Sequence, residues 1–89
     1  MKKLVKLNNK EFQVELMGSV GSEGWMNSFK ITNSKGKRAE LHIAKEERFF
    51  EWNTWDDAFF TKEELDGCNH KGQFLTEVFG EDLMECLAS

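Results

Sequence analysis

The sequence has no proline, only two cysteines and two histidines, and no long apolar run. Each shortage closes off a class of protein. Without proline, turns must be made by glycine, asparagine, serine or aspartate. Two cysteines, Cys68 and Cys86, are too few for a disulfide framework, and both are expected to be reduced. No stretch approaches the roughly 18 apolar residues needed to cross a bilayer as a helix. The opening MKKLVKLNNK is basic, but no apolar segment of about 7–15 residues follows it. It reads as a first strand rather than a signal peptide, and the expected location is cytoplasmic with no membrane partner.

Motifs that carry chemistry are equally scarce. Gly18, Gly21 and Gly24 recur every third residue, but a phosphate-cradling loop needs a helix start directly behind it. Trp25–Thr32 alternates as a strand instead, so the glycines read as a flexible hairpin loop. Cys68 and His70 stand two positions apart behind Asp66. Nucleophilic catalysis draws such groups from separate elements around a preformed pocket, and two residues of one loop do not make a site. Zinc held by Cys68, His70, Cys86 and His42 would lack the paired C-x(2–4)-C or H-x(3–5)-H spacing of structural sites. The pairs Asp56-Asp57 and Glu63-Glu64 fit no EF-hand, and adjacent residues on a helix point about 100° apart. The chain is therefore expected to be non-enzymatic, with no catalytic residue, no metal and no cofactor.

What the chain does have is a concentration of aromatic and acidic side chains. Of eleven aromatic residues, six (Phe49, Phe50, Trp52, Trp55, Phe59 and Phe60) fall within twelve positions. Residues 45–66 also hold eight carboxylates against three basic side chains. The net charge of −4 is split: residues 1–44 carry eight Lys/Arg and four Asp/Glu, and residues 45–89 carry four and twelve. A molecule with one basic and one acidic half suggests that the acidic half meets a basic partner.

Eighty-nine residues support one domain and one core. Lys3–Leu7 and Glu11–Leu16 form a hairpin around Asn8-Asn9-Lys10, with Phe12, Val14 and Leu16 on the buried face. Trp25–Thr32 and Arg38–Ala44 follow as strands joined by Asn33–Lys37, where Gly36 is free to adopt a left-handed conformation. In the last strand Ala39, Leu41 and Ile43 face inward while Arg38, Glu40 and His42 face out.

The apolar face of this meander needs a cover, which has to come from residues 45–89, expected to be mainly helical and acidic. As a helix, Phe49, Trp52, Trp55, Phe59 and Phe60 would share an arc of about 140°. Asp56 intrudes on that arc, and Thr54 with Asp57 resembles a capping box. Arg48–Trp52 as a fifth strand is the competing reading. Thr61 with Glu64 repeats the capping spacing, Asn69 caps a helix over His70–Phe79, Gly80 ends it, and Glu81–Leu87 adds a last turn or two. The expected fold is a single α+β domain over residues 1–89. It has a four-stranded antiparallel meander, or five strands, followed by two or three helices packed on one face.

Large aromatic side chains with acidic neighbours suit a binding hot spot with a polar rim. The expected function is a protein-binding module that engages a basic surface through Glu46, Glu47, Phe50, Glu51, Trp52, Trp55, Asp56, Asp57, Glu63 and Glu64. In size and charge, though in no motif, the chain is similar to small acidic phage-encoded inhibitors, anti-CRISPR proteins among them. That comparison implies an inhibitor whose carboxylates stand in for the phosphates of nucleic acid. One competing reading is a nucleic-acid binder using Lys2, Lys3, Lys6, Lys10, Lys30, Lys35, Lys37 and Arg38. It is disfavoured by the negative net charge and by Phe12, Phe29 and Trp25 alternating onto the covered face. The other is a small self-associating structural protein, a homodimer built on an exposed sheet edge or an apolar patch.

Overall fold

Strict alternation of apolar and polar residues sets up the sheet seen in the computed structural model, which describes residues 2–7, 10–60 and 75–88. Five strands run in chain order: β1 (Lys2–Leu7), β2 (Lys10–Val20), β3 (Met26–Thr32), β4 (Arg38–Ala44) and β5 (Phe50–Trp55). All neighbours are antiparallel, in the order β1-β2-β3-β4-β5. Helix α1 (Leu75–Ala88) follows. No described helix is long and apolar enough to cross a membrane.

The β1–β2 hairpin forms as its alternation requires, with Val5 opposite Phe12 and Lys3 opposite Val14. Its turn residues Asn8 and Asn9 lie outside the described residues. The β3–β4 turn is built by Asn33, whose side-chain oxygen accepts the backbone N–H groups of Lys35 (3.0 Å) and Lys37 (2.9 Å). Gly36 there takes φ +79°, the left-handed region that glycine enters without steric cost.

Three expectations are corrected. First, residues 50–55 are a strand and not part of a helix. Phe50 and Trp52 turn inward and pair opposite Ile43 and Leu41, which extends the apolar face and satisfies the backbone of β4. Period-2 and period-3.6 readings of FFEWNTW compete over too few residues for pattern alone to separate them. Second, among the described residues one helix follows the sheet, not two or three. The capping box Thr61/Glu64, the Asn69 cap and the helix start at His70 lie outside the described residues. Third, Gly80 does not end a helix: α1 runs through it to Ala88. A Cβ at Gly80 would sit 2.1 Å from the Phe50 ring, so glycine is there to let α1 approach β5. It costs the helix about 1 kcal/mol in propensity.

The glycine-rich segment also differs from a simple loop. β2 continues through Gly18 to Val20, with Met17 inserted as a bulge between the pairs Leu16–Phe29 and Gly18–Ser28. The strand therefore shifts phase after Leu16. A second irregularity, between Glu40 and Leu41 of β4, places Asn53 as the extra residue of β5.

The core lies between one sheet face and α1. It contains Val5, Phe12, Val14, Phe29, Ile31, Ala39, Leu41, Ile43, Phe59, Phe60, Leu83 and Met84. Ile31, Leu41 and Leu83 are fully buried, each contributing roughly 2 kcal/mol by removal from water. Two ties fix α1 over the sheet. The Lys3 ammonium donates to the carbonyl of Cys86 at 3.4 Å. Arg48 Nη2 donates to Glu81 Oε1 at 2.8 Å and also to Glu85. Both carboxylates hold the Arg48 guanidinium above its usual pKa, Glu85 with the larger effect.

Candidate functional site

Aromatic rings separate into two groups. Phe12, Trp52, Trp55, Phe59, Phe60 and Phe79 form one continuous network, with centroid separations from 4.8 Å (Phe12–Phe79) to 6.4 Å. Trp25 and Phe49 form a separate pair, stacked at 5.7 Å with 25° between planes. Among the described residues no ring contact joins the two groups.

The pair stands where strands end. Trp25 precedes β3 and Phe49 precedes β5, so neither follows the alternation that sends Phe29 or Phe50 inward. Backbone hydrogen bonds hold them together: Lys45 N–H donates to the Trp25 carbonyl (3.0 Å) and Ala44 N–H to the Phe49 carbonyl (2.9 Å). The indole lies against Gly21, where an added Cβ would come within 2.5 Å of Trp25 Nε1. Trp25 is 39% exposed and Phe49 41%. These are large rings left partly in water beside a packed core.

Carboxylates rim the pair. A concavity beside Trp25 is lined by Ser22, Glu23, Gly24, Lys45, Glu46 and Glu47. Glu23 is held at φ +58°, a left-handed conformation uncommon for a residue with a side chain. Glu23, Glu46 and Glu47 make no ion pair within the described residues, whereas Lys45 Nζ is drawn to Ser19 Oγ at 2.8 Å. With three acidic residues against one lysine, the rim carries a net negative charge.

The expected binding residues are distributed rather than assembled. Glu46 and Glu47 lie in the turn before β5, on this rim. Phe50 and Trp52 pack against the core, while Glu51 faces the opposite side of the sheet, its Oε1 4.0 Å from His42 Nδ1. Trp55, Asp56 and Asp57 are exposed at the far end of β5. Trp55 there packs edge-on against Phe60 at 5.3 Å. Asp56 is committed to Arg38, accepting its backbone N–H at 2.9 Å with the guanidinium 3.8 Å away. Glu63 and Glu64 lie outside the described residues, as do Asp66, Cys68 and His70. Among the described residues no group of three or more His, Cys, Asp and Glu could hold a metal ion.

Two residues were misplaced by sequence reasoning. Trp25 was expected on the covered face, and Phe49 on the core side of a helix. The signal for Trp25 was its position directly after Gly24, where a strand's phase need not yet have begun. Phe49 becomes readable as an outsider once residues 50–55 are taken as a strand.

The sheet face opposite the main core carries a second polar group. Glu40 Oε2 accepts from Ser28 Oγ (3.2 Å) and Asn53 Nδ2 (3.2 Å), and shares a hydrogen bond with His42 Nε2. The His42 contact, with smaller help from Ser28 and Asn53, holds the Glu40 carboxyl below its usual range against the opposing effect of burial. Ser28 and His42 are buried here although they point away from the main core. Lys30 and Glu15 are paired beside them at 3.2 Å, which keeps the Glu15 carboxyl ionised to lower pH than usual. This face mixes both charge signs and offers no continuous basic stripe.

The protein thus belongs structurally to the α+β class, a five-stranded meander with one face covered by a helix. No protein-family model, curated protein or solved structure matches the chain.

Proposed function

We propose that this chain is a non-enzymatic protein-binding module, docking a partner's basic surface through the acid-rimmed Trp25–Phe49 end of the sheet. The stacked, partly exposed Trp25–Phe49 pair carries this reading. Two large rings held together by the backbone but left outside the core supply apolar anchor area. Trp and other aromatic anchors dominate binding energy where a polar rim excludes water around them. Glu23, Glu46 and Glu47 supply that rim, and its net negative charge favours a basic partner through both encounter rate and complementarity. One partner of this description is a groove that ordinarily holds nucleic acid, which the module would block as an inhibitor with carboxylates in place of phosphates.

The test uses the intact chain, tagged and incubated with lysate of its source cell, with and without nuclease treatment, at low and high salt. The variants are the double substitution Trp25→Ala/Phe49→Ala and, at the other end of β5, Asp56→Lys/Asp57→Lys. The expected result is one basic protein retained at low salt, released at high salt, lost with the ring variant and kept with the aspartate variant. Undiminished retention by the ring variant, with its fold verified by circular dichroism, overturns the assignment of the surface. Recovery of nucleic acid in untreated samples, with no protein in treated ones, overturns the function.

A further inference from the structure

We infer that the concavity beside Trp25 receives an arginine side chain of the partner. This rests on the docking reading above and specifies its chemistry. The lining residues are Ser22, Glu23, Gly24 and Trp25 on one chain segment and Lys45, Glu46 and Glu47 on a second that is hydrogen-bonded to it, three acidic residues and an aromatic one among them. A cation is the complementary occupant. The one internal cation of the lining, Lys45, is anchored to Ser19 Oγ at 2.8 Å, and the three carboxylates outnumber it.

The shape of the required cation follows from the lining. A guanidinium is planar, weakly hydrated and able to lie against an aromatic surface while its N–H groups reach two carboxylates. An ammonium is compact and strongly hydrated, and interacts as a point charge. An aromatic wall beside carboxylates from two different segments suits the planar fork better. Glu23 approaches from the 3-10 turn Ser22–Gly24, Glu46 and Glu47 from the turn before β5. The two segments are joined through the Lys45 N–H to Trp25 carbonyl bond of 3.0 Å, which sets their backbones side by side.

The experiment is a two-dimensional NMR titration of the intact protein, following the Trp25 indole N–H and the amides of residues 22–25 and 45–49. Three probes are used: a Gly/Ser heptapeptide with one central arginine, the same peptide with lysine, and the same with citrulline, the neutral isostere of arginine. The expected result is saturable shifts confined to these residues. The arginine peptide should bind about fivefold tighter than the lysine peptide, in line with its better match to aromatic and paired carboxylate contacts. Citrulline should give no saturable shift. Glu46→Gln/Glu47→Gln should weaken arginine binding about tenfold, as loss of two charge-assisted contacts predicts.

Equal binding of arginine and citrulline peptides, or binding unaffected by the glutamine variant, overturns the inference. So does the absence of any shift with the arginine peptide. If that absence accompanies partner capture that still depends on Trp25 and Phe49, the docking reading stands and its anchor is apolar. If capture is independent of the rings as well, both fail.

Discussion

Both groups of aromatic side chains in this protein mix tryptophan with phenylalanine, but the larger is buried at its centre, with only Trp55 at its margin exposed (42%), while both members of the smaller are partly in water. Phe59 and Phe60 are buried at 6% and 4% exposure, packed against Trp52 and Phe79, whereas among the described residues the rings of Trp25 and Phe49 contact no other ring but each other, at about 40% exposure. The first group holds α1 to the sheet. The second does little for the core, since its members precede their strands and lie at the sheet's end. Aromatic content alone therefore says nothing about role; position relative to strand phase does.

The strongest way to break this comparison is to truncate one member of each group. Phe59→Ala removes a buried ring and leaves a cavity, so it is expected to cost about 3–5 kcal/mol in urea unfolding. A loss below about 1 kcal/mol would mean that the network is not the core. Gly80→Ala comes next. Propensity alone would stabilise α1 by up to about 1 kcal/mol, but the new methyl meets the Phe50 ring. The net effect is expected to be destabilising by about 1–3 kcal/mol, and relieved when combined with Phe50→Leu. Stabilisation by Gly80→Ala alone would show that α1 does not press against β5.

Trp25→Ala/Phe49→Ala is expected to cost about 1–1.5 kcal/mol per ring, well below Phe59→Ala, because each ring is already about 40% in water. A core-sized loss would merge the two groups into one and remove the main argument for a docking surface.

The smallest effect concerns Glu40, which belongs to neither group. Its folded carboxyl titrates below its usual range through the His42 contact. The sign follows from linkage: the stabilisation is complete above the unfolded value and is lost as pH falls through the lowered folded value. Thermal scans of wild type and Glu40→Gln should thus differ near neutral pH and converge in acid. A difference that persists unchanged in acid would show that packing, not ionisation, is what Glu40 contributes.

Much of the sheet could be read from the residues. Phe12 and Val14 in β2, and Ala39, Leu41 and Ile43 in β4, reach the core as their alternation requires, and Asn33 with Gly36 forms the turn between β3 and β4. The candidate site was only half legible. Glu46 and Glu47 were marked by charge and do border the exposed pair, but Phe50 and Trp52 were marked by ring density and went to the core. Density of aromatic residues cannot distinguish an anchor from a core residue, because both call for the same side chains.

Local chemistry, then, determined by itself what depends on neighbours in sequence: the alternation of β2, β3 and β4, the inward face of β2 and β4, the β3–β4 turn and the charge imbalance between halves. Tertiary structure decided what depends on distant partners. Residues 50–55 became a strand because β4 offered an open edge at the right register. Gly80 became a helix interior residue because Phe50 came to lie beneath it. Trp25 and Phe49 became neighbours because β4 returns to the start of β3. Each of these outcomes is set by packing between segments far apart in the chain, and no periodicity within either segment encodes it.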